Sequence, residues 1–179
     1  DAQSPSPPSR DVRDAARTYD RDRYLSALLA PGKARDDCVV LAAYLGEIQR
    51  VPLMTREALA GEIRLQWWRD ALAADSASGH PVADALRETV RRRGLDMAAV
   101  LAPIEGYGRE LYEDGLQDLR EFDAYVGETE GAALRLALDI VGIDRGALPP
   151  DVLDTGARAL ALTRLALTLP QHLAHGRLP

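Results

Sequence analysis

Apolar residues along this chain return every three or four positions, and no stretch alternates with period two. Tyr24, Leu25, Leu28 and Leu29 open the pattern, and Pro31-Gly32 stops it. Residues 36–51 place Val40, Ala43, Tyr44, Glu47 and Ile48 on one side, and Pro52 ends that predicted helix. Thr55 is the expected cap of the next one, which runs to about Ala74. It carries two stripes, Leu59-Ile63-Trp67 and Leu65-Trp68-Leu72, as expected when a helix packs between neighbours. Residues 75–81 read as a loop, and 82–93 as a helix with Val82, Leu86 and Val90 inward. A helix over 97–115 contains Pro103, whose missing donor should kink or split it. Another covers 122–141. The Pro149-Pro150-Asp151 start leads into a last helix over 152–169, apolar enough (ALALTRLALTL) to lie deep in a bundle. The spacing predicts an all-α bundle without internal repeats.

Residues 1–10 are rich in Pro and Ser. With a short polar helix over 12–19 they make residues 1–20 an expected disordered or loosely ordered tail, and 21–179 the helical domain. The chain has 179 residues, enough for one substantial core, and a net charge of −6. That charge argues against general nucleic-acid binding, which needs clustered cation excess. The cations are nearly all Arg, with Lys33 the lone lysine. The run Arg91-Arg92-Arg93 before Gly94 reads as a solvated helix end. Cys38 is the single cysteine, so no internal disulfide forms, and its apolar neighbours suit a small buried hydrophobe. No apolar run reaches the roughly 18 residues that span a bilayer, and no signal-peptide pattern is present.

Several separated patches carry a resemblance. They are RDRYLSALLAP, LAAYLGEIQRVP, EIRLQWWRDAL, IEGYGREL followed by TEGAALRLAL, and ALALTRLALTLPQHLAHGRLP. In order and spacing they resemble the squalene/phytoene synthase family over residues 21–179. EIRLQWWRDAL is the most specific of them, because adjacent tryptophans between arginines are rare. The resemblance implies an isoprenoid-synthase-type helical bundle, here incomplete at the C-terminus. Active members join prenyl diphosphates with two Asp-rich clusters that hold Mg²⁺. At the positions that line up with those clusters this chain has Gln49, Arg50 and Leu53, then Arg164, Leu167, Thr168 and His172. In this it is similar to a divergent branch, that of the mitochondrial complex I assembly factor of this family.

The chemistry gives this loss its weight. Ionising an allylic diphosphate needs its departing charge neutralised by metal held between facing carboxylates. Gln, Thr and neutral His do not supply that charge, and Arg50 repels Mg²⁺ while suiting a phosphate. No catalytic residue and no metal ligand is therefore assigned. Candidate ligand contacts are Tyr44, Arg50, Arg64, Trp67, Trp68 and Arg164. Trp67 and Trp68 either line an apolar pocket or fill the core. Arg64 either makes surface ion pairs or meets an anion or partner. His172 and His175 lack partners at zinc-ligand spacing. The run Glu110-Asp114-Asp118 reads as a solvated face.

The expected function is a non-catalytic, squalene/phytoene synthase-like protein. It would bind a partner protein or an isoprenoid-like lipid in respiratory-complex assembly, with no cofactor and no nucleic acid. The alternative is a prenyl diphosphate transferase whose Mg²⁺ is held in an unrecognised way. A cytoplasmic bacterial setting is expected, without a transmembrane span but with peripheral contact at the inner membrane.

Overall fold

The computed structural model describes residues 7–112, 114–149 and 151–178. Among these residues the secondary structure is helical, with no strand. The helix α3 (Gly32–Gln49) forms the axis of the bundle. Eleven of its eighteen residues are buried, from Ala34 to Ile48. Its apolar positions surround it, so it needs neighbours on every side. Those neighbours are α1 (Arg10–Tyr19), α2 (Arg21–Leu28), α6 (Pro81–Arg93), α7 (Met97–Gly108) and α9 (Ala132–Val141). Leu45, Ile48, Leu86, Ile104, Leu136 and Ile140 are fully enclosed between them. Each such side chain stabilises the fold by about 1.5–3 kcal/mol over its exposed state.

The expected loose tail over 1–20 is corrected by α1. Ser9 caps this helix by accepting from the Val12 amide at 3.4 Å. Val12 and Ala16 are buried against α3. A Cβ on Gly46 would stand 2.9 Å from the Tyr19 Cβ, so glycine there lets the end of α1 approach the α3 backbone. Polar residues on the outer face hid a short amphipathic stripe. Residues 1–6 of the expected tail lie outside the described residues. Asp20 then joins two helices. Its amide donates to Ala16 O at 3.0 Å, and its carboxylate caps α2 by accepting from the Arg23 amide at 3.2 Å.

A short α4 (Val51–Met54) follows, and then α5 (Ala58–Ala73). Thr55 is not the cap of α5: its hydroxyl donates back to Val51 O at 2.8 Å and closes α4. Of the two stripes on α5 only one is enclosed. Leu65, Trp68 and Leu72 are buried, while Leu59, Ile63 and Trp67 face outward. Pro103 sits inside a continuous α7, which passes into a 3₁₀ turn at Arg109–Leu111. The predicted helix over 122–141 is α8 (Leu119–Val126), a π-helical segment (Gly127–Gly131) and α9 in unbroken succession. Gly106 of α7 admits this π segment, because a Cβ there would stand 2.5 Å from Thr129 Cγ2.

The last helix, α10 (Val152–Ala174), does not lie deep in the bundle. Ala157, Ala161 and His172 are buried, whereas Leu162, Leu167 and Leu173 are more than half exposed. It packs on α4, α8, α9 and the π segment along one side only. The basic run also departs from expectation. Arg91 is a solvated residue paired with Glu88, but Arg92 and Arg93 both bind the buried Asp37 of α3.

Candidate functional site

A cavity of about 690 Å³ opens between α2, α3, α9, the π segment and α10. Ala27, Cys38, Leu41, Ala42, Ala133, Leu134, Ala137 and Val141 make most of its wall. Small alanines on α3 and α9 leave this space where larger residues would close the bundle. Leu29, Leu160 and Leu167 stand at it with substantial exposure. Burial pushes the Cys38 thiol up to about 11, so it stays protonated on this wall.

The polar residues gather where Asp20, Arg23, Gln49, Glu130, Arg164 and Thr168 meet. Arg23 pairs with both Asp20 and Glu130, and its Nη1 also reaches Gln49 Oε1 at 3.4 Å. Burial works against the Arg23 charge, but Glu130 and Asp20 outweigh it and raise its pKa. Burial also raises the pKa of Asp20, with Arg23 pulling the other way. Arg164 pairs with Glu110, and its guanidinium lies over the Tyr107 ring at 4.5 Å. Tyr107 donates to Glu130 at 3.1 Å and Tyr125 donates to Glu110 at 2.6 Å. His172 is enclosed, with Nε2 3.1 Å from Glu110 Oε2 but without hydrogen-bond alignment. Glu130 reaches this position from the π segment, a wound-out turn of a kind frequent at functional sites.

Of the six candidate contacts, the structure brings Arg164 to the cavity wall and not the other five. Tyr44 is enclosed in the core, where its hydroxyl donates to Val100 O at 2.6 Å and its ring meets the edge of Trp68. Trp68 is a core residue beside it, and Trp67 packs on the outside against Trp68 and His80. Arg50 stacks on the Tyr19 ring at 3.7 Å and reaches Glu47 at 3.5 Å. Arg64 is exposed on α5. Tyr44, Trp67 and Trp68 therefore line no part of the cavity that Arg164 reaches.

The resemblance located the cavity better than the aromatic residues did. Of the seven positions aligned with the acidic clusters, Gln49, Arg164, Leu167 and Thr168 stand on its wall, whereas Arg50, Leu53 and His172 do not line it. Sequence reasoning missed Asp20, Arg23 and Glu130, and read Glu110 as part of a solvated face. Arg23, Glu110 and Glu130 sit inside the quoted patches RDRYLSALL, IEGYGREL and TEGAALRLAL, which was the available signal. Glu110 is not part of a solvated face; it is buried between Arg164, Tyr125 and His172.

These residues do not fit the Mg²⁺ that the fold family implies. Each buried carboxylate here is already engaged by a guanidinium, and the facing helices offer Gln49 and Thr168, not acids. Among the described residues no three His, Cys, Asp or Glu side chains converge as a metal site. No helix among them is long and apolar enough to cross a membrane.

The chain is 28% identical over 130 residues to the NADH dehydrogenase (ubiquinone) complex I, assembly factor 6 of Bos taurus. The proteins of the same name from Rattus norvegicus and Homo sapiens are 28% and 27% identical over the same length. Each match takes in 71% of this chain and 39% of the relative, so the chain spans about two fifths of the curated relatives it matches. No solved structure matches it significantly. The squalene/phytoene synthase family profile matches residues 16–179, nearly the whole bundle together with the cavity, and the chain belongs to that family.

Proposed function

We propose that this protein is a non-catalytic member of its family that holds an isoprenoid-like lipid in the cavity and serves in the assembly of a respiratory complex. One observation carries the reading. The apolar chamber of the fold is open, but its arginines and carboxylates are spent on one another. Coupling prenyl diphosphates needs carboxylates free to hold metal against the leaving group. Binding an apolar chain needs the cavity alone, and its volume lies in the range of small-molecule sites. The assembly role rests on the similarity to the complex I assembly factors.

The test is a pair of measurements on the purified protein. Nile red should bind, be displaced by farnesol, and lose its site in Ala137→Trp, which fills the wall of α9. Incubation with farnesyl diphosphate and Mg²⁺ should release no diphosphate. Metal-dependent release would instead establish the prenyl transferase reading. For the assembly role, deleting the gene in its source cells should lower the amount of complex I on native gels. The Ala137→Trp protein should fail to restore it; full restoration would separate assembly from the cavity.

A further inference from the structure

The geometry points to a second site, separate from the apolar cavity: a pocket that takes a phosphate group. Its volume is about 330 Å³, and Arg56, Asp114, His175 and Arg177 supply its charged and ionisable wall. None of these four lines the apolar cavity. Arg177 carries the argument. It is the most enclosed arginine among the described residues, at 2% exposure. Its guanidinium donates to Pro52 O at 3.0 Å and to Arg56 O. Those bonds hold the side chain across the junction of α4 and α5. They use two of its five N–H groups and do not cancel its charge. Arg23, Arg92, Arg93 and Arg164 each hold a carboxylate, whereas Arg177 meets none among the described residues. A buried cation without a counter-charge is unfavourable, and an anion in the pocket it lines supplies one.

The exposed part of the wall suits phosphate in particular. Arg56 is open to solvent and holds no carboxylate among the described residues, so its planar fork is free to grip two oxygens of one anion. His175 stands on the same wall and adds either no charge or a positive one. Its enclosed nitrogen is Nδ1, which leaves Nε2 for contact. The opposing carboxylate among the described lining residues is the exposed Asp114, outnumbered by the two arginines. A phosphate has enough oxygens to engage Arg56 and His175 with the Arg177 charge behind them. A carboxylate has only two. The volume is at the small end of small-molecule sites, which fits a phosphate with a short organic group. That phosphate belongs either to a soluble ester or to a lipid headgroup, and both present the same oxygens.

Calorimetric titration of the intact chain with inorganic phosphate, glycerol 3-phosphate and acetate, at constant ionic strength, tests this. Flotation with phosphatidylcholine vesicles, with and without phosphatidic acid, gives the lipid arm. The expected result is saturable phosphate binding that Arg56→Ala weakens about tenfold, the loss of one charge-assisted contact. Asp114→Asn should strengthen it roughly threefold by removing the opposing charge. Both side chains are exposed, so both variants should keep the wild-type circular dichroism. Glycerol 3-phosphate binding without flotation identifies a soluble ester. Flotation that needs phosphatidic acid and is lost in Arg56→Ala identifies a headgroup. No saturable binding in either arm overturns the proposal, as does binding that neither substitution changes. Acetate that binds as tightly as phosphate overturns the phosphate assignment. Because the two sites share no residue, phosphate should leave Nile red in the apolar cavity undisturbed, and the outcome here is independent of the lipid reading.

Discussion

Replacing Glu130 by glutamine removes one charge from the centre of the cavity's polar end and almost no volume. In the native protein this carboxylate is buried, pairs with Arg23, accepts from Tyr107 at 3.1 Å and stands 3.8 Å from Arg164 Nε. Taking away one partner of a buried ion pair costs about 3–5 kcal/mol, because the remaining charge is left uncompensated. Here Arg23 is one quarter exposed and keeps Asp20, so the cost falls to about 2–3 kcal/mol. A chain of this size loses about 2–4 °C of Tm per kcal/mol, which puts the Glu130→Gln protein about 4–12 °C below wild type. Thermal unfolding followed by circular dichroism at pH 7 gives the value. The difference should survive 0.5 M salt, because enclosed pairs are poorly screened. Adding Arg23→Met to Glu130→Gln should recover part of the loss, since it removes the stranded charge. A Glu130→Gln protein that melts within 2 °C of wild type, or a double variant less stable than the single, would refute the claim that this pairing organises the cavity.

Other expectations concern different parts of the bundle. Asp37 is enclosed; burial pushes its carboxyl up, but hydrogen bonds and charge from Arg92 and Arg93 outweigh this and hold it below the usual carboxylate range. A depressed folded value means that its contribution is present above about pH 4 and is lost as pH falls through the folded value. Asp37→Asn should lower stability at pH 7 by about 2–4 kcal/mol and flatten the acid limb of the stability curve, measured by urea unfolding from pH 7 to 3. Gly46→Leu should force α1 away from α3 at a cost of about 1–3 kcal/mol and speed tryptic cleavage at Arg10, Arg13 and Arg17; unchanged cleavage would show that α1 is dispensable. Cys38 should react with a neutral alkylating reagent at a rate that keeps rising up to about pH 11, where an ordinary thiol levels off near 8.5. Farnesol should slow that reaction, because the thiol stands on the cavity wall.

How much could be read without coordinates differs from helix to helix. Residues 82–93 were legible to within one position, because Val82, Leu86 and Val90 share a face and Gly94 adopts φ +64° to end α6. Thr55 misled because a threonine after one helix and before another can bond either way, and local sequence does not choose. Trp67 and Trp68 are adjacent, so on a helix they point about 100° apart and cannot both face one pocket. Periodicity gave α10 apolar residues on all sides, but it does not count neighbours, and those of α10 lie on one side. The buried acids Glu110 and Glu130 sit in stretches whose composition resembles any solvated helix. Only the arginines brought to them from α2 and α10 make their burial tolerable.

The sequence by itself determined the all-α class, the order of the principal helices and the loss of acids at the aligned positions. These are local properties, set by spacing along one strand of chain. The tertiary structure decided where the cavity opens, which residues line it and which charges cancel there. Arg23 and Glu130 are 107 positions apart, and Glu110 and Arg164 are 54 apart. Such pairings arise only when separate helices pack, since no periodicity encodes which faces will meet.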